Sequence, residues 1–424
     1  MLFIKVLLAV VLFCPAAKAA DLFSVTLTQN IGGVDKTARQ QFTSVEDAFN
    51  KFKNGQLNSI LAGYSKDKSA VGTIDFRGIQ MKLNYTTNDA TSGGNTTKLT
   101  FEVPALGIMK TFGTDDPDTP VKVSQAQTFD EFKEYLKQNK DDLLTDILKE
   151  SVSNTPYDSV AGNPNSLMSQ MAELSMDNPT LNATDHANES NQGSQNDGFV
   201  LLSPSGGEHS IKGRDGVVRT AKTANLPLGY TFKFHNDWAL GIDLPLSYTD
   251  LEGSKTYAAQ IGASLQVPFI KGKWLVTFSG RVGATASKDT VSGGILYMGS
   301  VTSRFTQKFR GGNTALTLVN MYGYVQDYTL NVKQYNIKYG LKNNVFKNGL
   351  EVRQKLTEKT ALTVFGYDTR FTGSDLYVDS YEEVGARYTL YFSKDSFFTG
   401  IDLSGCYIFG ENYKAYNFGA SLLF

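Results

Sequence analysis

The sequence has few cysteines, no excess of basic residues and no long apolar run after its start. It has two cysteines among 424 residues, and one of them, Cys14, lies in the apolar run at the start. A chain that loses this run keeps Cys406 alone, which excludes an intramolecular disulfide. The 41 basic and 42 acidic residues balance, which argues against the basic surface of a nucleic-acid-binding protein. No later apolar run is long enough for a transmembrane helix.

Residues suited to catalysis or metal binding are also scarce. The chain contains three histidines, His186, His209 and His235, and none stands in an H-E-x-x-H pattern. It has no G-x-S-x-G turn, which an α/β-hydrolase uses to hold its nucleophilic serine. It also lacks a cysteine cluster that could bind zinc. The sequence therefore predicts no catalytic residues, no metal site and no cofactor.

The first 20 residues have the composition of a secretory signal peptide. Lys5 lies beside an apolar run at 6–13, and Ala17, Ala19 and Ala20 form a small-residue cleavage site. The run is too short to cross a bilayer as a helix. We therefore predict that the signal peptide is removed and that the rest of the chain is exported through the inner membrane.

Residues 21–175 are predicted to form a soluble α+β domain. Thr43–Glu46 and Thr128–Glu131 have the Ser/Thr-x-x-Glu spacing that begins helices. Between them, apolar residues alternate with polar ones through 79–85 and 99–103. This period of two is typical of strands with one buried face.

A polar segment at 176–197 follows this domain. It is rich in Asn, Asp, Ser and Gln and has few apolar residues. Such a composition cannot bury enough apolar surface to offset the conformational entropy that is lost on ordering. The segment is therefore predicted to be a linker.

From residue 198 to residue 424, apolar and polar residues alternate between short turns. The stretch 238–248 shows the pattern, because every second residue is apolar and an aromatic stands at each end. In a transmembrane β-barrel one row of each strand faces lipid, the other faces the lumen, and aromatics lie at both membrane interfaces. The apolar row of this stretch is Trp238, Leu240, Ile242, Leu244, Leu246 and Tyr248.

A soluble all-β domain also has alternating strands, so two further features decide between the interpretations. The apolar rows run for five or six residues without a charge, which matches the length of a tilted membrane strand. The alternate rows hold Gly, Ser, Thr, Gln and charged residues, which could not form the packed core of a soluble barrel. The sequence therefore favours an antiparallel transmembrane β-barrel with a polar lumen.

The turns give the number of strands. They divide the chain from residue 222 onward into about eleven strands, and outer-membrane barrels usually have an even number. A further strand at 198–202, with 203–221 as its outer loop, brings the count to about twelve. The predicted periplasmic turns are 235–237, 271–273, 309–313, 357–359 and 393–396.

The C-terminal strand carries the most specific signal. Tyr416, Phe418, Leu422 and Phe424 lie on its apolar row, and Phe424 is the last residue. The strand resembles the C-terminal signature of bacterial outer-membrane proteins, in which a terminal aromatic is recognised by the barrel-insertion machinery. The resemblance implies a place in the cell outer membrane, with lipid and that machinery as partners.

The order of the segments resembles that of autotransporters, which have an N-terminal passenger, a linker and a C-terminal barrel of similar size. The resemblance implies that residues 21–175 are a passenger at the cell surface. It also implies that the linker at 176–197 threads the lumen.

Ten charged residues lie on the polar rows and are predicted to face the lumen. Such charges need water or a partner, because an isolated buried charge is very costly. They could form Arg–carboxylate pairs that brace a small barrel, or they could line a hydrated path and set its selectivity. The ten residues are Asp243, Arg281, Arg304, Glu351, Arg353, Asp368, Arg370, Glu383, Arg387 and Asp402.

Two functions fit this organisation. The first is an outer-membrane pore or translocator whose cargo is a small solute or the chain's own N-terminal domain. The second is a barrel-anchored structural or adhesin-like protein whose N-terminal domain binds a periplasmic or surface partner. Neither function needs an enzyme activity or a nucleic-acid partner.

Overall fold

The computed structural model contains an N-terminal sheet with helices and a C-terminal barrel. The predicted signal peptide, residues 177–197 of the predicted linker, the predicted helix start Thr43–Glu46 and Phe424 lie outside the residues that the structure describes. The described residues are 23–42, 56–65, 67–87, 97–113, 125–176, 198–214, 216–234, 237–287, 292–332, 335–392 and 400–423.

The N-terminal sheet has six antiparallel strands in the spatial order β2-β1-β3-β4-β5-β6. The strands predicted at 79–85 and 99–103 correspond to β4 and β5. Short 3₁₀ turns lie at Gln56–Ser59 and Pro104–Leu106. The strands are β1 (Phe23–Ile31), β2 (Val34–Phe42), β3 (Ala70–Phe76), β4 (Ile79–Thr87), β5 (Thr97–Val103) and β6 (Ile108–Gly113).

Three helices follow the sheet: α1 (Gln125–Gln138), α2 (Lys140–Asn154) and α3 (Leu167–Met176). Helix α1 packs on the sheet through Phe132, whose ring centroid lies 5.5 Å from that of Phe101. The predicted start at Thr128–Glu131 falls inside α1, which begins at Gln125, and the Thr128 hydroxyl bonds to the Thr97 hydroxyl on β5 at 2.7 Å. No described helix is both long enough and apolar enough to cross a membrane.

The C-terminal part closes into a barrel of twelve strand positions, because β7 and β8 follow one another between β21 and β9. This confirms the predicted number. The strands are β7 (Gly198–Leu202), β8 (Ser205–Lys212), β9 (Val218–Lys233), β10 (Ala239–Leu251), β11 (Ser254–Ile270), β12 (Trp274–Ser287), β13 (Ser292–Phe309), β14 (Thr314–Tyr328), β15 (Leu330–Val332), β16 (Tyr335–Ile337), β17 (Lys342–Thr357), β18 (Thr360–Gly373), β19 (Ser380–Tyr391), β20 (Gly400–Gly410) and β21 (Tyr413–Leu423).

The first strand position differs from the prediction. The predicted loop at 203–221 holds strand β8 and the start of β9, so the connection between them is only 213–217. Pro204 interrupts the strand because it has no backbone N–H to donate. Its carbonyl still accepts a bond from the Ala420 N–H at 2.9 Å, which keeps β7 and β8 in line.

Large apolar side chains are exposed around the outside of the barrel, as lipid-facing residues are in membrane barrels. The predicted outward rows are confirmed at Ile242 and Leu246, and at Tyr416 and Phe418 of the C-terminal strand. Other exposed residues of this belt are Phe232, Phe234, Trp238, Ile261, Phe269, Trp274, Phe278, Val301, Phe305, Leu318, Tyr322, Leu350, Val364 and Leu403. The barrel is therefore a transmembrane β-barrel.

The two ends of the barrel differ in what they meet. We call the end with the connections 213–217 and 252–253 the domain end, and the end where β7 begins and β21 ends the terminal end. Phe76 and Ile79 of the N-terminal sheet share one buried cluster with Ala221 and Leu251 of the barrel. The N-terminal sheet therefore packs on the domain end.

Candidate functional site: the barrel lumen

Helix α3 lies inside the barrel, although the sequence analysis grouped it with the soluble domain at 21–175. It contacts strands β11, β12, β13, β14 and β17. Its apolar face is fully buried in one cluster with inward residues of the barrel wall. The helix contributes Leu167, Met168, Met171, Ala172 and Met176, and the wall contributes Leu296, Met298, Val319, Met321, Val325 and Val345 among others.

This apolar part of the wall corrects the expectation that inward rows are small or polar throughout. Around Leu296 and Met298 on β13 and from Val319 to Val325 on β14, both rows are mainly apolar, because the outer row meets lipid and the inner row meets α3. A glycine makes further room for the helix. A Cβ atom on Gly283 would lie 2.8 Å from the Leu167 Cδ1 atom, so a larger residue there would force the Leu167 side chain to shift.

Arg281 binds the C-terminal end of α3. Its Nη2 atom donates to the Leu174 carbonyl at 2.6 Å, and its Nε atom donates to the Ser175 hydroxyl at 3.1 Å. The Thr302 hydroxyl donates to the Ser175 carbonyl at 3.2 Å. The last carbonyls of a helix have no partner within the helix, and a cation there is stabilised by the helix dipole. These bonds hold α3 in the lumen.

Asp243 balances the charge of Arg281. Its two carboxylate oxygens accept bonds of 2.5 and 3.1 Å from the guanidinium. Both side chains are buried, with 0% of Arg281 and 2% of Asp243 exposed. A Cβ atom on Gly262 would lie 2.6 Å from the Arg281 Nη1 atom, so this glycine leaves space for the pair.

Other predicted lumen charges are also paired inside the barrel. Arg304 Nη2 donates to both Glu351 oxygens at 2.9 Å, and the Tyr367 hydroxyl adds a bond of 2.7 Å to Glu351. Glu383 bonds to Lys347, and both are buried. In each of these pairs the two partners lie on strands separated by one intervening strand, and the carboxylate and the cation compensate one another at close range.

The sequence analysis did not name Lys347. Alternation could have found it, because residues 347, 351 and 353 share one row of β17. Arg353 of that row donates to the Tyr391 hydroxyl. Arg387 and Asp402 also lie on inward rows, in register with Thr363 and Thr389 respectively. The structure therefore places eight of the ten predicted residues toward the lumen. Their role in selectivity stays a prediction.

The structure places Asp368 and Arg370 on the outer surface instead. The Arg370 Nε atom lies 3.0 Å from the Asp368 Oδ2 atom, and 66% of the Arg370 side chain is exposed. On strand β18 the buried row contains Tyr367 and Phe371, which belong to the apolar cluster around α3. Since neighbouring residues point to opposite faces, Asp368 and Arg370 must face outward near the domain end.

The segment between α2 and α3 lies across the domain end of the lumen. Its Asp158 forms a fully buried ion pair with Arg77 at 2.9 Å. Arg77 stands at the tip of the β3–β4 hairpin, where it and Gly78 have positive φ angles of 53° and 92°. Two-residue hairpin turns with these angles match the twist of the strands. The N-terminal sheet therefore reaches the lumen entrance through this tip.

Two further groups bind Asp158. The Val160 N–H donates to Oδ1 at 2.8 Å, and the Tyr339 hydroxyl donates to Oδ2 at 3.2 Å. Burial, and then the nearby Asp158 carboxylate, raise the pKa of Tyr339 well above its usual value. The hydroxyl therefore stays protonated and remains a donor. Asp158 joins the N-terminal sheet, the segment before α3 and a loop of the barrel.

Backbone bonds fix the same segment to the barrel. The Tyr377 N–H donates to the Val152 carbonyl at 2.8 Å, and the Val378 N–H donates to the Gly162 carbonyl at 3.2 Å. Gly162 has a φ angle of 86°, and a Cβ atom there would lie 2.3 Å from the Val152 oxygen. Only glycine fits this position. Hydrogen-bonded chain thus lies across the lumen entrance.

His209 lies on strand β8, although the sequence analysis expected a loop there. Its ring is buried and bonds to the Tyr413 hydroxyl and, at 2.9 Å, to the Thr223 hydroxyl. Cys406 is half-buried on the inward row of β20. Among the described residues no cluster of His, Cys, Asp or Glu could hold a metal ion.

Comparisons with known proteins concern the barrel. No protein-family profile and no curated protein matches the sequence. The structure is similar to the translocator domain of the autotransporter NalP from Neisseria meningitidis, with 12% identity over 60% of this chain and 99% of that chain and a TM-score of 0.43. It is also similar to the beta domain of the Bordetella autotransporter BrkA, with 12% identity over 54% and 99% of the chains and a TM-score of 0.41.

A channel shows a likeness of the same degree. The COG4313 outer-membrane channel from Pseudomonas putida F1 has 10% identity over 55% of this chain and 97% of that chain, with a TM-score of 0.42. These TM-scores are too low for the likenesses to carry a functional argument. The contents of the lumen must therefore distinguish between a translocator and an open channel.

Proposed function

We propose that this chain is an outer-membrane translocator whose lumen is closed by its own helix α3 and whose N-terminal domain is displayed at the cell surface. The observation that carries the proposal is the position of α3. It lies in the lumen between the N-terminal sheet, which packs on the domain end, and Gly198, which begins the barrel at the terminal end. A chain that enters the lumen at one end and begins the barrel wall at the other end passes through the membrane inside its own barrel.

The connections between strands support this orientation. Outer-membrane barrels have short turns on the periplasmic side. Two-residue turns occur at both ends, at 358–359 and at 252–253, so the longest connection decides the orientation. The longest connection at the domain end, between β14 and β17, includes the hairpin β15–β16. We therefore place the domain end, with the N-terminal sheet, outside the cell.

The paired lumen charges support a closed barrel over an open path. Arg281 is bonded to Asp243 and to the end of α3, and the Nη2 atom of Arg304 is bonded to Glu351. Charged side chains that line a conducting path face water, whereas the charged side chains of these pairs face one another. The pairs therefore act as braces around the helix, and conduction would require α3 to move.

A second candidate function is supported by the docking of the N-terminal sheet. The buried pair Arg77–Asp158 fixes the sheet to the segment that enters the lumen, which suits an anchored domain that binds a partner more than a released passenger. In this alternative the barrel is an anchor, and the domain binds its partner on whichever side of the membrane it occupies.

Protease treatment of intact cells shows on which side of the outer membrane each end of the barrel lies. A cleavable tag inserted at the Gly32–Gly33 turn of the N-terminal sheet is expected to be cut by a protease that cannot cross the outer membrane. The same tag at 271–273, at the terminal end, is expected to be cut only after the outer membrane is permeabilised. Protection of the first tag in intact cells, with its cleavage after permeabilisation, would contradict surface display and place the N-terminal domain in the periplasm.

A further inference from the structure

Strand β2 forms a free edge of the N-terminal sheet. Among the described strands it pairs with β1 alone, whereas the other edge, β6, packs beside helix α1. The β1–β2 register runs without a shift from Ile31–Val34 to Phe23–Phe42. Most of β2 is exposed, including 61% of Val34. A long and regular edge strand is a template for pairing with another strand.

The turn before β2 determines which backbone groups are free. Gly32 and Gly33 have φ angles of 67° and 87° and join Ile31 to Val34. The residues that flank such a two-residue turn form a hydrogen-bonded pair, and hydrogen-bonded pairs alternate with non-bonded ones along the strands. The N–H and C=O groups of Asp35, Thr37 and Arg39 therefore point away from β1.

The side chains of the same three residues lie on one exposed face. Asp35 accepts a bond of 2.9 Å from the Asn30 amide, and Thr37 bonds to Thr28 at 2.9 Å. They therefore present, in order along the strand, an anion, a hydroxyl and a cation. This order is self-complementary, because a second antiparallel copy centred on Thr37 would set each Asp35 opposite the other copy's Arg39.

Other registers lose this match. A centre at Asp35 or Arg39 sets like charges opposite each other, which destabilises a strand pair. A centre at Lys36 or Ala38 sets Asp35 or Arg39 opposite Thr37, so no opposite charges meet. The register centred on Thr37 also aligns the free N–H and C=O groups of Asp35, Thr37 and Arg39 with those of the second copy.

We propose that β2 pairs with β2 of a second copy of this chain, antiparallel and centred on Thr37, so that the two N-terminal sheets form one continuous sheet. The contact is isologous, with the same strand on both sides of a two-fold axis. A strand pair alone buries less than the ~1,000 Å² of a stable interface. The pairing is therefore reversible and is best observed by trapping it covalently.

Disulfide trapping of the purified full chain in detergent tests the pairing. With Cys14 and Cys406 replaced by serine, Thr37→Cys is expected to give a species of twice the monomer mass on mild oxidation, because opposite Cα atoms would lie ~5.5 Å apart. Thr28→Cys is the matched control. It lies on the same exposed face one strand inward, so the two copies would be ~14 Å apart and beyond disulfide reach.

Charge exchange tests the register. In the Thr37→Cys background, Asp35→Arg or Arg39→Asp alone is expected to abolish the cross-link, and the double variant Asp35→Arg with Arg39→Asp is expected to restore it. Equal cross-linking of the Thr37→Cys and Thr28→Cys proteins would overturn the proposal, as would a double variant that stays monomeric while its N-terminal domain is folded. The outcome does not depend on which side of the membrane the domain occupies.

Discussion

Replacing Arg281 with alanine is expected to open the lumen. The variant loses the bonds to Leu174 and Ser175 that hold the end of α3, and it leaves Asp243 buried without its cation. Breaking one side of a buried ion pair typically costs ~3–5 kcal/mol. Because this loss falls on the contact between helix and wall, α3 should leave its site often. Single-channel recordings in planar bilayers should then show frequent conducting states that the unchanged protein lacks.

Arg370→Ala is the matched control for this experiment. It removes the same side chain from an ion pair on the outer surface, where exposed pairs contribute ~0–1 kcal/mol. Its conductance should equal that of the unchanged protein. If folded Arg281→Ala barrels conduct no more than the Arg370→Ala barrels, then Arg281 does not hold α3 in the lumen. Electrophoresis before and after heating shows whether each barrel is folded.

Replacing Arg77 with alanine is expected to release the N-terminal sheet from the barrel. Asp158 would stay buried with only the Tyr339 hydroxyl and the Val160 N–H as partners. The loss of Arg77 should also cost ~3–5 kcal/mol of stability, because neither side chain of the ion pair is exposed. Limited proteolysis of the purified protein should cut between the N-terminal domain and the barrel much faster than in the unchanged protein.

A double variant separates loss of charge balance from loss of fold. Arg77→Met with Asp158→Asn removes both charges and keeps similar volumes, so it should restore much of the resistance to proteolysis. Lys271→Ala, which breaks an exposed pair with Asp237 of 2.7 Å, should leave the cutting rate unchanged. Equal cutting rates for Arg77→Ala and Lys271→Ala would show that the buried pair does not fix the domain.

The barrel could be predicted from the sequence because lipid imposes a strict rule on one row of each strand. Outward rows such as Ile242–Leu246 must be apolar, and turns between them must be polar, so alternation and length are both visible. The sequence shows which row of a strand faces the lumen only where the two rows differ in polarity. On β18 the inward row contains Tyr367 and Phe371, which look lipid-facing, and Asp368 and Arg370 were therefore assigned to the wrong side.

The helix α3 could be predicted from its local sequence pattern, but its position in the lumen could not. Leu167, Met168, Met171 and Ala172 have helical spacing, so an amphipathic helix could be predicted there. The surface that buries this face lies more than 100 residues later on β13 and β14. One signal was present, because parts of β13 and β14, around Leu296–Met298 and Val319–Val325, are mainly apolar on both rows. An apolar inward row in a barrel indicates an apolar occupant of the lumen.

The most direct test of the account is whether the segment before α3 lies across the domain end of the lumen. The hydroxyls of Ser159 and Ser292 are 2.9 Å apart, so Ser159→Cys with Ser292→Cys should form a disulfide, with Cys14 and Cys406 replaced by serine. After cutting at a protease site placed in the linker, the N-terminal fragment should stay joined to the barrel until a reductant is added. Ser159→Cys with Ser303→Cys is the control, because Ser303 bonds to the exposed Trp274 at the terminal end. A fragment that separates without reductant from the Ser159–Ser292 variant, as it does from the control, would contradict the closed lumen.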